Sequence, residues 1–210
     1  MILNCLLTGV GGQGTVLLSR LIGGAALERG LEVRGSETIG MAQRGGSVVS
    51  HIRMGRNIAS PLIPPGKADV IIAFEVAEAV RVLPFLAPGG RMLALNRVLR
   101  QHPAAGLSGA GYDPRLMLDY LQEKVGGGLA VVDNQELAAR CGSPRVINVA
   151  LLGAALARGF FPFDAADAQK VLAERIPPAY RELNLRALEI GRDEGQRERE
   201  RPGASLSNFV

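Results

Sequence analysis

The first residues with a spacing that suggests chemistry are glycines near the N-terminus, in the stretch GVGGQGTVLLSRLIGGAAL from Gly9 to Leu27. Gly9, Gly11 and Gly14 have the spacing G-x-G-x-x-G between an apolar run and a helix-like stretch, which is typical of a dinucleotide-binding loop. Such a loop brings backbone N–H groups close to a phosphate, and the following helix adds a partial positive charge. The pattern therefore raises the question of whether the loop binds a nucleotide.

Other residues bear on that question. Glu32 or Glu37 follows the loop at the distance where a dinucleotide site places its ribose-binding carboxylate. A P-loop is disfavoured, because no Lys-Ser or Lys-Thr pair follows the last glycine. Gln13 carries a long amide that both donates and accepts hydrogen bonds, which favours a fixed contact with a partner or an acyl-carrier ligand. The predicted ligand-binding or interface residues of this loop are Gly9, Gly11, Gly12, Gln13 and Gly14.

A second glycine segment lies in SETIGMAQRGGSVVSHIRMG, where Gln43 and Arg44 come directly before Gly45 and Gly46. Glycine adopts positive φ readily, so an arginine beside two glycines can be presented by an unusual backbone conformation. The guanidinium group is a planar fork that suits a carboxylate or a phosphate. The segment predicts an anion or interface site, and the alternative is a solvent-exposed turn before a strand.

Residues typical of acid–base, nucleophilic or metal chemistry are scarce in the chain. The two histidines are isolated: His51 lies in an alternating strand pattern, which favours a hydrogen-bonded or exposed role, and His102 precedes Pro103 in a polar link. The two cysteines, Cys5 and Cys141, cannot supply the four thiolates of a [4Fe–4S] cluster or a disulfide framework. We therefore predict no catalytic residue and no metal ligand, and we expect a reduced, cytoplasmic setting.

The elements that position these residues follow from hydrophobic periodicity. An apolar run over 2–9, a helical pattern over 13–29 and a second strand over 31–37 predict a β-loop-α-β unit with parallel strands. Further strands and helices then alternate, the strands at 47–54, 68–75, 91–96 and 127–133 and the helices at 75–83, 112–124 and 134–141, the last with Asn134 near its cap. The remaining pattern is helical, at 148–158, 164–174 and 179–191. We predict a three-layer α/β/α Rossmann-like domain with a mostly parallel sheet and a helical C-terminal part.

The composition limits the domain organisation and the partners. The 210 residues suit one large domain, which we place at 1–191, followed by a charged C-terminal tail at 192–210. Aromatic residues are only 4% and the net charge of +4 is mostly scattered arginine, so we expect no nucleic-acid binding. Such a charge suits an anionic small molecule or an acidic partner. The apolar run over 148–161 contains Arg158 and is too short to span a membrane, which takes about 20 residues.

The two glycine segments, in this order, resemble the gamma-type subunits of 2-oxoacid:ferredoxin oxidoreductases. The later stretches ADVIIAFEVAEA, RVINVALLGAA and YRELNLRALEIG are similar to segments of that family, so the resemblance spans most of residues 1–191. The form SETIGMAQRGGSVVSHIR is most similar to the branch of small beta subunits found in indolepyruvate ferredoxin oxidoreductases.

The resemblance implies a function that this chain does not perform alone. Enzymes of that family decarboxylate a 2-oxoacid on thiamine diphosphate, pass electrons through iron–sulfur clusters to ferredoxin and release an acyl-CoA. The resemblance places thiamine diphosphate, magnesium and the [4Fe–4S] clusters on a large partner subunit, with coenzyme A as co-substrate and an arylpyruvate as substrate. This chain would then bind no cofactor by itself. Whether the isolated chain forms a homodimer is left open by the sequence. The glycine loop and Arg44 would face coenzyme A or the partner.

Three other interpretations remain open from the residues alone. A free-standing oxidoreductase would bind NAD(P) through Gly9, Gly11 and Gly14. An adenylating enzyme of the ubiquitin-activating kind also begins with a glycine-rich loop, but it would usually need a set of cysteines that this chain lacks. The third interpretation is a purely structural subunit without any ligand.

Overall fold

The computed structural model of the chain describes residues 2–38, 46–97 and 113–200. Within these ranges six strands form one sheet, and they are β1 (Leu3–Val10), β2 (Glu32–Thr38), β3 (Ser47–Gly55), β4 (Ala68–Ala73), β5 (Leu86–Leu95) and β6 (Leu129–Val132). The α-helices of the same ranges are α1 (Thr15–Glu28), α2 (Val76–Val82), α3 (Pro114–Val125), α4 (Asn134–Cys141), α5 (Ile147–Ala157), α6 (Ala165–Arg175) and α7 (Pro178–Glu200).

The sheet has the strand order β2-β3-β1-β4-β5-β6. The pairs β1–β4, β4–β5 and β5–β6 are parallel, whereas β3 is antiparallel to both β1 and β2. The predicted α/β class and the mostly parallel sheet are thus confirmed. The predicted β-loop-α-β unit differs in one respect: β1 and β2 point in the same direction, but β3 lies between them and takes the place of a direct parallel neighbour.

The core is divided by the sheet into two layers. In β1, Cys5 and Leu7 are buried in one hydrophobic cluster with α1, α4, α5, α6 and α7, while Leu6 is buried in the other cluster with α2 and α3. This division follows from the two-residue period of a strand, which directs successive side chains to opposite faces. Because helices cover both faces, the strand reads as a continuous apolar run, as the sequence predicted.

Helices α5 and α7 are so close that their backbones are in contact, and glycines make this close packing possible. A Cβ atom placed on Gly191 would overlap the carbonyl group of Ala150, and one on Gly153 would overlap the carbonyl oxygen of Leu188. The two helices are therefore closer together than side chains would allow.

The same helix is longer than the sequence predicted. We predicted a helix over 179–191, and the structure continues it to Glu200, so that 192–200 of the predicted tail are helical. Glu194 and Gly195 are buried in this extension, and Arg140 of α4 forms an ion pair with Glu194. The segment is highly charged on average, which concealed that Gly195 packs against the backbone of Ala154 on α5. Residues 201–210 lie outside the described residues.

The start of α4 differs slightly from the prediction, since the cap is Asp133 and Asn134 is the first helical residue. One carboxylate oxygen of Asp133 accepts from the backbone N–H groups of Gln135 and Glu136, both at 2.8 Å. The other oxygen accepts from the side-chain amide of Asn96 at 2.8 Å. Such a cap satisfies N–H groups that lack a partner within the helix. Across the described ranges, no helix is both long and apolar enough to cross a membrane.

Candidate functional site at the carboxyl edge of the sheet

The glycine loop lies between the end of β1 and the start of α1. Gly12 and Gly14 have φ values of 100° and 85°, which favour glycine, and Gly14 is the N-cap of α1. From β1 the chain passes to α1 on one face of the sheet, and from the neighbouring β4 it passes to α2 on the other face. This is a topological switch point, where open α/β sheets form a crevice for ligands at the carboxyl ends of their strands.

Three backbone N–H groups of this loop, those of Val10, Gly11 and Gln13, donate hydrogen bonds within the chain. The N–H of Val10 donates to Oε1 of Gln13 at 2.8 Å, and the N–H of Gln13 donates to the carbonyl of Val10 at 3.1 Å. The N–H of Gly11 donates to the carbonyl of Gly46 at 2.9 Å. A phosphate cradle needs such donors pointing at the ligand. The loop is therefore shaped by its own hydrogen bonds and by the second glycine segment.

The side chain of Gln13 folds back over the glycine loop. A Cβ atom on Gly9 would lie 2.6 Å from Oε1 of Gln13, which shows how closely the side chain folds over the loop. Its Nε2 donates a hydrogen bond to Oε1 of Glu75. The sequence predicted an amide that donates and accepts at once, with partners on another molecule. The structure instead places both of these contacts within the chain.

Glu75 and Glu78 are candidate site residues that the sequence analysis did not single out. Both are buried, with only 2% and 3% of their surface exposed. Glu75 is the N-cap of α2, directly after β4, and Glu78 lies in the first turn of that helix. The available signal was two carboxylates within the otherwise apolar stretch ADVIIAFEVAEAV. Buried acids are uncommon unless they are paired, so two of them at a switch point indicate a role.

Each of the two glutamates has basic and neutral partners. Nε of Arg81 lies 3.3 Å from Oε1 of Glu78, and Nε of Arg97 lies 4.0 Å from Oε1 of Glu75. The hydroxyl of Ser47 donates to Oε2 of Glu78 at 2.5 Å, and the hydroxyl of Thr8 lies 3.5 Å from the same oxygen. Both arginines are at least partly exposed and Ser47 is exposed as well, so Thr8 is the buried neutral neighbour of Glu78.

Asn148 of α5 supports the loop from the helical layer. It is buried, and its Nδ2 lies 3.4 Å from the carbonyl oxygen of Gly14. A Cβ atom on Gly14 would lie 2.6 Å from the same nitrogen. Glycine at this position is therefore required both by the backbone conformation and by the close approach of α5.

The second glycine segment is only partly described. Gln43, Arg44 and Gly45 lie outside the described residues, so their predicted roles stay predictions. Gly46 is described, and its carbonyl accepts from the glycine loop. The two glycine segments that the sequence singled out are thus in direct contact where the structure describes them.

His51 has a structural role in the described part of the chain. Its Nδ1 accepts a hydrogen bond from the backbone N–H of Ile63 at 3.2 Å, and its ring meets Phe85 edge-on with 5.9 Å between centroids. Burial lowers the pKa of this imidazole, because the charged form loses solvation. The predicted hydrogen-bonded histidine is confirmed. His102 lies outside the described residues.

The cysteines do not form a site together. Cys5 is buried in β1 and Cys141 is buried at the end of α4, and burial raises the pKa of both thiols, with Asp69 adding to the effect at Cys5. Raised values favour the unreactive thiol over the thiolate. In the ranges 2–38, 46–97 and 113–200, no group of three or more His, Cys, Asp or Glu side chains is arranged to hold a metal ion.

The two glutamates expected to bind the ribose of a dinucleotide, Glu32 and Glu37, accept hydrogen bonds from other groups of the chain. Glu37 accepts from the hydroxyl of Ser19 at 2.8 Å, and Glu32 accepts from the backbone N–H of Ile58 at 3.3 Å. Both residues belong to β2, which the inserted β3 separates from β1. Two strand spacings of about 4.8 Å each place β2 roughly 10 Å from β1. This geometry disfavours the NAD(P) interpretation.

A separate cleft of about 640 Å³ lies at the opposite edge of the sheet. Tyr120 and Lys124 of α3 line it together with the glycine turn that includes Gly89 and Gly90. It is remote from the glycine loop, because it is built on the residues that precede or begin β4, β5 and β6. The cleft therefore does not belong to the switch-point site.

Comparison with known proteins identifies the family. Residues 4–194 match the model of the pyruvate ferredoxin/flavodoxin oxidoreductase family. The chain belongs to this family. It is also 36% identical over 190 residues to indolepyruvate oxidoreductase subunit IorB of Thermococcus kodakarensis, covering 90% of this chain and 93% of the relative. The subunit of the same name from Archaeoglobus fulgidus is 37% identical over 193 residues, with 91% and 94% covered.

Solved structures of similar fold include subunits of related enzymes. The gamma subunit of a keto/oxoacid ferredoxin oxidoreductase from Geobacter sulfurreducens matches with a TM-score of 0.67 and 20% identity, over 94% of this chain and 98% of that one. A 2-oxoglutarate:ferredoxin oxidoreductase from Magnetococcus marinus, solved with coenzyme A and succinyl-CoA, matches with a TM-score of 0.67 and 19% identity. That match covers 93% of this chain and 31% of the longer one, and both matches support the fold.

Proposed function

We propose that this chain is the small subunit of an indolepyruvate:ferredoxin oxidoreductase, which oxidises an arylpyruvate to an acyl-CoA. The observation that carries this proposal is the 36% identity to subunit IorB across nearly the full length of both chains. The switch-point geometry supports it, since the described part of the site has a loop held by hydrogen bonds within the chain and backed by a buried carboxylate, which suits a preformed binding surface.

The cofactors belong to a large partner subunit in this proposal. Thiamine diphosphate with magnesium would supply the decarboxylation chemistry, and [4Fe–4S] clusters would carry electrons to ferredoxin. The described residues of this chain do not fit either group, because its two cysteines lie buried in separate elements and no acidic cluster is arranged for a metal. The contribution of this chain is then to bind and orient, both toward the partner and toward coenzyme A.

We assign that contribution to the two glycine segments. The first comprises Gly9, Gly11, Gly12, Gln13 and Gly14, and the second comprises Gln43, Arg44, Gly45 and Gly46. The contact between Gly11 and Gly46 supports a single surface built from both segments. Arg44 would bind an anionic group there, either a phosphate of coenzyme A or a carboxylate of the partner.

The first test is an anaerobic pull-down of the tagged chain from its own cells, with iron and thiamine assayed in the eluate. We expect a much larger protein carrying both to co-elute. The complex should then reduce a viologen dye in the presence of indolepyruvate and coenzyme A, and in its native setting ferredoxin would replace the dye. Elution of the chain alone, as a monomer or homodimer without iron or thiamine, would contradict the proposal.

Arg44→Ala tests the anion site in the assembled enzyme. We expect normal assembly and a KM for coenzyme A that rises about tenfold, because one charge-assisted contact is lost. Arg56→Ala is a suitable control, since Arg56 is an exposed arginine just after β3. An unchanged KM and an unchanged turnover in Arg44→Ala would remove this residue from the site.

A further inference from the structure

The two buried glutamates are connected to both glycine segments. Glu75 accepts from the side chain of Gln13, which belongs to the first segment. Glu78 accepts from the hydroxyl of Ser47, which directly follows the second segment. The two acids lie one helical turn apart at the start of α2, so a single short helix contacts both segments.

Keeping the two carboxylates of Glu75 and Glu78 buried is unfavourable for the stability of the fold, so their presence calls for an explanation. Removing a carboxylate from water costs several kcal/mol unless hydrogen bonds and opposite charges compensate, and an apolar side chain of similar size would fill the same space without that cost. Both acids lie at the switch point, whereas the remainder of this face around α2 is apolar. Their chemistry, rather than their volume, accounts for their position.

We propose that Glu75 and Glu78 are positioning residues for the coenzyme A step, which they serve by fixing Gln13 and Ser47 so that the glycine loop keeps its contact with Gly46; this inference rests on the proposed function. The direct bond between Gly11 and Gly46 completes the connection. Neither glutamate transfers a proton or contacts the reacting atoms in this proposal.

The first experiment compares Glu75→Gln and Glu78→Gln in the complex with the large subunit. Each change preserves the shape of the side chain and removes its charge, so the hydrogen bond it accepts loses roughly half its strength. We expect the KM for coenzyme A to rise about tenfold in each variant. The KM for the 2-oxoacid and the dye reduction that precedes coenzyme A use should stay within about twofold of the wild type.

Glu123→Gln is the matched control, because it makes the same chemical change at an exposed position of α3. The side chain of Glu123 is 70% exposed and pairs only with the neighbouring Lys124 among the described contacts. We expect its kinetic constants to equal those of the wild type.

A swap of the two side chains tests the hydrogen bond itself. Gln13→Glu alone places two carboxylates together in a buried site, and we expect loss of assembly or a rise of about a hundredfold in the KM for coenzyme A. In the double variant Gln13→Glu/Glu75→Gln, the new carboxylate can accept from Val10 while the new amide donates to it. We expect this double variant to return to within about threefold of the wild type.

The outcomes separate this inference from the proposed function. A wild-type complex without coenzyme A-dependent activity would overturn both. An active wild type, with Glu75→Gln and Glu78→Gln kinetically identical to the Glu123→Gln control, would overturn the inference alone. It would also be overturned if the swapped double variant assembled no better than Gln13→Glu, and this result decides the matter even when a single variant fails to fold.

Discussion

The side-chain amide of Gln13 donates a hydrogen bond to the buried carboxylate of Glu75 while its oxygen accepts from the backbone of Val10. The amide thus connects the glycine loop to the start of α2 across the switch point. A loop held in this way has a fixed shape before any other molecule arrives. It therefore suits a preformed surface, which loses little entropy on binding.

The closed loop predicts that the isolated chain does not bind NADH or NADPH. Its N–H donors at Val10, Gly11 and Gln13 are already used, so a pyrophosphate would have to break those bonds. We expect no change in melting temperature at about 1 mM of either nucleotide. A ligand present at about a hundred times its Kd would stabilise the fold by about 2.7 kcal/mol. A rise of several degrees would therefore contradict this prediction and restore the dinucleotide interpretation.

Gly14→Ala and Gly12→Ala should differ in their effects on stability. Both glycines have positive φ, which costs an alanine about 1 kcal/mol. Only at Gly14 would the new methyl group meet Asn148, whereas nothing lies within 4 Å of the corresponding position at Gly12. We expect Gly12→Ala to lower the free energy of unfolding by about 1 kcal/mol and Gly14→Ala by about 2–3 kcal/mol.

Chemical denaturation measures this difference. Asn148→Ala in the Gly14→Ala background should recover part of the additional loss, because it removes the group that the methyl meets. If Gly12→Ala and Gly14→Ala lower the free energy of unfolding equally, the side chain of Asn148 on α5 does not limit the space at Gly14.

Gly191→Ala should be among the most destabilising single-methyl changes in the chain. The added methyl would overlap the backbone of Ala150, and backbone cannot turn aside as a flexible side chain can. We expect a loss of about 3 kcal/mol or more in the free energy of unfolding. Gly127→Ala is the matched control, since that position has open space around it. Thermal and urea unfolding of both variants would test this, and similar stabilities would argue against backbone contact between α5 and α7.

The stability of the fold should depend on pH through His51. Its pKa is lowered in the folded state, so the unfolded state binds more protons near pH 6. This contribution to stability is fully present above about pH 6.5 and is lost as the pH falls toward the lowered value. The slope contributed by one group is at most about 1.4 kcal/mol per pH unit.

Urea unfolding between pH 7 and pH 5 provides the measurement. His51→Gln should remove much of the pH dependence in this range, because the new side chain can accept from Ile63 without titrating. A wild-type slope that His51→Gln leaves unchanged would contradict the assignment.

Much of the fold could be predicted from local patterns. The apolar run of β4 and the helical spacing of α1 are strong signals, because each element is buried over its whole length or along one face. The position of β3 was not predictable in this way. Nothing in the alternation of 47–54 indicates that this strand pairs with β1 and β2 at once, since pairing is a property of the whole sheet.

The site was predictable only in part. The glycine spacing predicted a loop between β1 and α1, and the structure has one there with positive φ at Gly12 and Gly14, a backbone conformation that other residues avoid. The spacing could not reveal that the side chain of Gln13 folds over the loop or that Glu75 accepts a hydrogen bond from its amide. Gln13 and Glu75 are 62 positions apart in the sequence and meet only after folding. Asn148 approaches Gly14 from 134 positions away for the same reason.

The backbone contact between α5 and α7 has a consequence for the order of synthesis. Helix α7 spans Pro178–Glu200 and covers part of the main core, so this layer stays open until α7 has left the ribosome. Domains generally fold as units during or after synthesis. The nascent protein should therefore expose apolar surface on α5 until α7 emerges, and any pairing with another subunit that needs this layer closed must follow that event.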